Sequence, residues 1–430
     1  MSNSSTPANS VAVVGAGIVG ICTALYLQRS GLSVTIYDKQ ECAQGASKGN
    51  AGHFATEQVF PLADMNLLPQ VPKMLLDPLG PFRIKMGYLF QAIPWFSRFL
   101  VNMLPSRFNN NKAALKALNT PAMEAYQPLI KAAGLDTLFT KNGSLLVSER
   151  PERAALQKVY NSFKSNGVAV ELLSQSEVRH IAPNLNDKVQ CGLFFKDVGH
   201  TVEPELLAKG LFDFFIEQGG KFVKGQVSAV TQVDNTTCIN AELPSSELPS
   251  SELQTFVHKH AVIACGAWSK PLVAQLGYKV PLDTERGYHL MLPNNANDLP
   301  IPVASLERKF IMTPMQQGLR LAGTVEFAGL DAPADAARAH ALLPHARSLL
   351  TPAVPDNASE LPNWMGFRPS LPDSLPVIGR APVHNQIYFA FGHQHLGLTQ
   401  AAITGKLISE LITEVPVSVN LSPYCISRFQ

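Results

Sequence analysis

The sequence predicts an α/β fold of two domains, one of them discontinuous. Three observations carry this: an apolar strand, glycine turn, helix and second strand in succession over residues 11–38; a return to apolar strand at 257–269; and a closing strand followed by a helix near 399–413. At 430 residues and 46% hydrophobic content the chain is long enough for two domains and apolar enough for two cores.

Residues 1–10, MSNSSTPANS, are small and polar, lack the basic and apolar regions of a signal peptide, and read as a disordered tail. VAVVGAG is β-branched, GICTALYLQRSG has helical apolar spacing and SVTIYD closes a βαβ unit. Residues 60–106 are rich in Leu, Met, Phe and Pro, with Lys73, Arg83, Lys85 and Arg98 as isolated cations and Arg107 just beyond; this predicts several short, Pro-broken helices. A polar helical stretch near 112–133, a strand at 144–148 and a helix at 151–166 follow. Residues 192–233 read as strand, loop, helix and strands, with Gly219-Gly220 at the helix end. ELPSSELPSSEL duplicates ELPSS, and 242–254 is expected to be a flexible hairpin insertion. The discontinuous domain is assigned to 11–60, 198–282 and 362–415, and the second to 61–197 and 283–361.

A formal net charge of +2 without long basic runs gives no footprint for nucleic acid. The six cysteines form no CxxC pair, which argues against a metal or thiol-redox site and fits a reducing, cytoplasmic location. No stretch reaches the roughly 18 apolar residues of a membrane-spanning helix.

Gly15-Ala16-Gly17-Ile18-Val19-Gly20 is a GxGxxG that follows a strand and opens a helix, with Asp38 ending the next strand and Lys39 beside it. Gly15 permits the tight turn, Gly17 lets the backbone approach a pyrophosphate, and Gly20 lets helix and strand pack closely. The helix N-terminus favours the phosphate charge, and Asp38 suits a ribose diol while repelling a 2′-phosphate. This Rossmann-like motif does not separate NAD from FAD; three further segments favour FAD. GASKGNAGH (45–53) places Ser47, Asn50, Ala51, Gly52 and His53 where backbone can lie against a flat ring. VIACGAWS ends a strand in Gly266 and Trp268, suited to closing beside a nucleotide. FGHQHLGLTQ sets Gly392, His393, Leu396, Gly397, Leu398 and Thr399 at a helix start whose dipole would stabilise negative charge on a flavin.

Together with LLDPLGP (75–81), VEPELL (202–207), ERGYHLML (285–292) and GFRPSLPDSLPVIGR (366–380), these segments resemble the FAD-dependent D-amino acid dehydrogenases of the D-amino acid oxidase, glycine oxidase and sarcosine oxidase superfamily, over nearly the whole chain. The resemblance implies an FAD domain of the glutathione-reductase type and an α+β substrate domain on an antiparallel sheet. It also implies Val227 at the adenine end and Gly366 in the cofactor motif. The flavin is expected to be non-covalent, because 366–412 contains no cysteine.

Oxidising an amino acid at its α-carbon requires the carboxylate to be clamped, the Cα–H to point at the flavin and the amine to be neutral. The imine product can then hydrolyse to an oxo acid and ammonia. Arg368 is the expected clamp, since its planar fork holds a carboxylate through two charge-assisted bonds. Tyr288 is expected either to add a hydrogen bond to that carboxylate or to cover the site, a core tyrosine being the alternative. His53 and His395 are candidates for contacts that would favour a polar or cyclic substrate such as D-proline or hydroxy-D-proline. Oxidation of glycine or sarcosine by oxygen, and flavin binding without amine chemistry, stay open. Segment 60–106, with Trp95, is expected either to lie on the inner face of the cytoplasmic membrane and pass electrons to a quinone, or to form a buried helical layer.

Overall fold

The computed structural model describes residues 9–70, 77, 79–151, 153–244 and 251–430. Residues 1–8 of the expected tail, 245–250 of the expected insertion and residues 75, 76 and 78 of LLDPLGP lie outside these. Ser10, at the end of the expected tail, is already the first residue of a strand.

Apolar, β-branched segments build a six-stranded sheet in the order Lys221–Lys224, Ser33–Asp38, Ser10–Val14, His260–Ile263, Ile387–Phe391, Val377–Arg380, parallel except for the last pair. Helices Ile18–Arg29 and Gly397–Ile412 cover one face and touch closely, because a methyl at Gly405 would stand 2.6 Å from the Cys22 carbonyl oxygen. A three-stranded antiparallel sheet, Gln226–Val233, Thr236–Pro244 and Ser251–His258, packs with helix Ser269–Gln275 on the other face. Thr236–Pro244 and Ser251–His258 stay paired out to Pro244 and Ser251, so 242–244 and 251–254 of the expected flexible insertion are strand.

A second sheet runs Asn363–Ser370, Asp283–Leu292, Gly318–Phe327, Phe310–Met315, Val303–Ser305, Ser144–Ser148, Cys191–Phe195, Val170–Ser174. It is largely antiparallel. Its two halves meet at a three-residue parallel pairing, Val303–Ser305 against Leu145–Val147, and Phe82–Ile84 adds in parallel to Gly318–Phe327. Helix Leu342–Leu349 packs on the face away from the first sheet.

Two expected boundaries need correction. Helices Pro105–Asn119 and Ala122–Ala132 fall in the segment assigned to the second domain, yet their apolar stripes join the core of the first with Ile21, Leu25 and Ile403. Asn363–Ser370, assigned to the first domain, is the edge strand of the second sheet.

Segment 60–106 is also more continuous than expected, since Leu89–Asn102 is one helix with Pro94 inside it. Pro94 has no N–H to donate within the helix. Trp95 and Phe96 pack against Phe327, and Trp95 stacks on Phe99, which offsets that cost. Met86, Phe90, Ile93, Leu100 and Leu104 are exposed in this region. Among the described residues no helix is long and apolar enough to cross a membrane.

Candidate functional site

A cavity of about 800 Å³ runs between the two sheets, from Asp38 and Val227 to Arg368. At the Asp38 end, the glycine turn is closed on one side and open on the other. A methyl at Gly15 (φ +117°) would stand 2.4 Å from the Ala264 carbonyl oxygen, whereas one at Gly17 would meet only Ser47 Oγ at 3.4 Å. The open side is the helix N-terminus, where the Ile18 N–H donates to Ser47 Oγ at 2.9 Å. Asp38 accepts the Ala16 and Gln40 N–H groups at 2.7 and 2.9 Å, so it fixes the turn as well as facing the cavity. The Gly225 N–H donates to the Asp38 carbonyl at 2.8 Å and brings Val227 alongside. The Lys39 ammonium lies 4.7 Å over the Trp268 ring.

Further along, Asn50, Ala51, Gly266, Gly366, Gly397 and Leu398 line the wall. Gly20, Gly52, Gly392, Leu396 and Thr399 do not line it and act through packing and hydrogen bonding. A methyl at Gly20 would stand 1.9 Å from the Gly15 carbonyl oxygen, at Gly52 2.6 Å from the Thr201 carbonyl oxygen, and at Gly392 2.4 Å from Leu371. Leu396 lies in the core. Thr399 is turned back to accept the Ala55 N–H at 2.9 Å. His393 reaches the cavity wall, but its ring is 2.9 Å from Thr404 Oγ1, and burial pushes its pKa down to about 3.

Strand alternation decides the Arg368 end. Glu285, Gly287 and His289 are one side of the Asp283–Leu292 strand and oppose Arg368, Gly366 and Trp364 in register. Arg368 crosses over Gly287, where a methyl would stand 2.3 Å from its Cζ. Its side chain makes one long bond, 3.4 Å to the Thr324 carbonyl, and no carboxylate of the described residues lies within 4.0 Å. Tyr288 has the opposite parity. Its hydroxyl donates to Glu326 at 2.7 Å and accepts from the Asp335 N–H at 3.3 Å, with the Arg338 guanidinium over its ring. Tyr288 lines the cavity, with its hydroxyl proton given to Glu326 in this structure.

His53 and His395 both line this end. His53 Nε2 donates to Glu57 at 2.9 Å, and its buried Nδ1 has no partner. Burial, aided by Arg368, pushes His395 down to about 4, which keeps its imidazole neutral. Glu57, Glu285 and Trp364 are cavity residues that the sequence reading missed. Glu57 had a signal in its i+4 spacing from His53. Glu285 had one in its parity with Gly287. Trp364 stacks on His289 with ring centroids 5.3 Å apart and covers Gly49 and Gly366.

Burial also pushes His200, His258, His260 and His289 down to about 4 from an ordinary 6.5. Between those values the unfolded chain binds protons that the folded one refuses, so stability rises with pH across this window. The melting temperature is therefore expected to fall progressively as pH drops from about 6.5 to 4. Calorimetry showing an unchanged melting point at both ends would contradict the buried, neutral state of these rings.

An open helix N-terminus, an acid beside the second strand and a cavity ending at an arginine with no ion pair among the described residues fit a dinucleotide with its reactive ring beside an anionic substrate. These features define a dinucleotide-binding site of the oxidoreductase kind. Residues 10–411 match the family model described as DAO, FAD dependent oxidoreductase, and the chain belongs to that family. It is 33% identical to a D-amino-acid oxidase of Bradyrhizobium diazoefficiens, over 97% of this chain and 98% of the relative. It is 29% identical to a D-amino acid dehydrogenase of Vibrio vulnificus, over 93% and 95%. Glycine oxidase from Geobacillus kaustophilus superposes with a TM-score of 0.72 at 22% identity, covering 97% of this chain and 98% of that one.

Proposed function

We propose that the chain oxidises D-amino acids at the α-carbon, with a preference for cyclic ones such as D-proline or hydroxy-D-proline. Arg368 carries this reading: a guanidinium without an ionic partner among the described residues, on the wall of a cavity whose other end is a dinucleotide turn. The names of the relatives support the D-configuration. Neutral His395 and the His53–Glu57 pair support a ring substituent as hydrogen-bond partner.

When bound, FAD supplies the hydride acceptor. The turn from Gly15 to Val19, with Asp38, would hold its diphosphate and ribose end, and Asn50, Ala51, Gly397 and Leu398 its ring end. Arg368 binds the substrate carboxylate and so fixes the α-carbon. The flavin is dissociable in this reading. Cys265, the cavity's one cysteine among the described residues, donates to the Val14 carbonyl at 3.1 Å, and burial raises its thiol pKa, which disfavours a covalent tether.

Two acceptors have support. The exposed Met86, Phe90 and Ile93 favour a membrane surface and its quinone, while the D-amino-acid oxidase relative favours oxygen. The test mixes the purified protein anaerobically with D- and L-amino acids, glycine, sarcosine and hydroxyproline isomers, and follows absorbance at about 450 nm, a property of the flavin. Bleaching by D-isomers, fastest with cyclic ones, is expected. A loaded flavin that none of them bleaches would end this reading. In air, stoichiometric peroxide would assign oxygen as acceptor; turnover that needs added quinone in lipid vesicles would assign the membrane.

A further inference from the structure

A zwitterionic substrate brings a problem that a clamp does not solve: its ammonium must lose a proton before the α-carbon can give up hydride. Two carboxylates, Glu57 and Glu285, line the Arg368 end of the cavity. Glu57 already holds the His53 ring at 2.9 Å. Glu285 is placed differently. It is the residue directly opposite Arg368 on the neighbouring strand, on the same face, and the guanidinium lies over Gly287, two residues along that strand. Despite this adjacency the two form no ion pair within 4.0 Å, and among the described residues no other cation pairs with Glu285. Its Oε1 accepts from Ser370 Oγ at 2.5 Å, and Ser370 is in turn held by Gln394 Nε2 at 3.1 Å. A carboxylate 3% exposed is thus fixed in direction, beside an arginine it does not neutralise.

We propose that Glu285 is the proton acceptor for the substrate amino group: an α-amino acid bridges the pair, its carboxylate on Arg368 and its nitrogen on Glu285. The proton passes from the ammonium nitrogen to a carboxylate oxygen of Glu285. The N–H bond breaks, the O–H bond forms, and the electron pair stays on nitrogen, where it is available as the imine forms. No co-reactant is needed. Burial raises the Glu285 carboxyl above the ordinary carboxylate range, while Ser370 and Arg368 hold it down, so its proton affinity moves toward that of an amine. Asp283, two residues back and bonded to the Tyr88 hydroxyl at 2.8 Å, adds to the rise. His53, Glu57 and His395 are the titratable groups that line the same end.

The inference rests on the amino-acid reading above, and the Glu285→Gln holoenzyme tests it separately. The amide keeps the size and the bond to Ser370. Flavin content, melting temperature and the flavin spectral shift on binding benzoate, a carboxylate without an amine, are expected to match the parent protein. The limiting rate of flavin reduction by a D-amino acid at pH 7 is expected to fall at least 100-fold. It should then climb about tenfold per pH unit until the ammonium of the free substrate has lost its proton, because only substrate arriving neutral can react. The parent protein should be flat over that range. A parent-like rate and profile in the variant would overturn the proposal. So would an equal loss at every pH accompanied by weakened benzoate binding, which would make Glu285 a positioning residue for Arg368. If the parent flavin is bleached by no amino acid, it is the amino-acid reading that fails.

Discussion

Replacing Arg368 with leucine is expected to lower kcat/KM for a D-amino acid by roughly 10²–10⁴-fold, two charge-assisted hydrogen bonds at about 1.5–3 kcal/mol each, with about 1.4 kcal/mol per tenfold. The fold should not notice. Arg368 makes one long bond of 3.4 Å to a carbonyl and no ion pair among the described residues, and burial lowers its pKa, so its charge is held at a cost to the resting protein. The melting temperature of the variant should equal or slightly exceed that of the parent. Arg368→Lys should fall between the two, keeping the charge and losing the planar fork. Steady-state kinetics with a melting curve checks this; unchanged kcat/KM in the leucine variant would remove the clamp from the mechanism.

The second large effect is expected at Gly15, and Gly17 is its control. An alanine at Gly15 would put Cβ 2.4 Å from the Ala264 carbonyl oxygen at a φ of +117°. The Gly15 N–H also donates to the Tyr37 carbonyl at 2.8 Å, so the turn is tied to both neighbouring strands and has nowhere to move. Gly15→Ala should therefore give an insoluble protein, or a colourless one melting many degrees lower. Gly17→Ala meets only Ser47 Oγ at 3.4 Å and should fold with a melting point near that of the parent. Its methyl lies where a pyrophosphate would approach, so its flavin should be lost on dilution or gel filtration. The ratio of flavin to protein absorbance, read with the melting curve, separates the two outcomes. A fully loaded Gly17→Ala protein would place the diphosphate elsewhere.

What could be read from the sequence was what depends on near neighbours. The strand, turn and helix over 11–38 appear as Ser10–Val14, Ile18–Arg29 and Ser33–Asp38, because periodicity and glycine positions specify them locally. Which of the Tyr288 alternatives applies could not be read locally, because the side chain a strand residue engages depends on the neighbouring strands, here Glu326 for Tyr288 and Arg368 beside Gly287. The parallel addition of Phe82–Ile84 to Val325–Phe327 joins segments far apart in sequence, and no local pattern encodes it. Trp364 escaped for the same reason, and the parity of Glu285 with Gly287 pointed to a face without saying what lies across it. Each gains meaning only from the residue opposite it.

The parallel seam between Val303–Ser305 and Leu145–Val147 also sets a schedule for biosynthesis. The three strands Ser144–Ser148, Val170–Ser174 and Cys191–Phe195 can pair with one another as soon as they leave the ribosome. The partner for the remaining edge, Ser-Leu-Leu-Val-Ser, is translated about a hundred residues later. At typical elongation rates that edge waits roughly 5–20 s uncovered. A nascent chain stalled in that interval presents an apolar strand edge to any passing chaperone or to a second copy of itself, and slowing translation there should favour inclusion bodies over yellow protein.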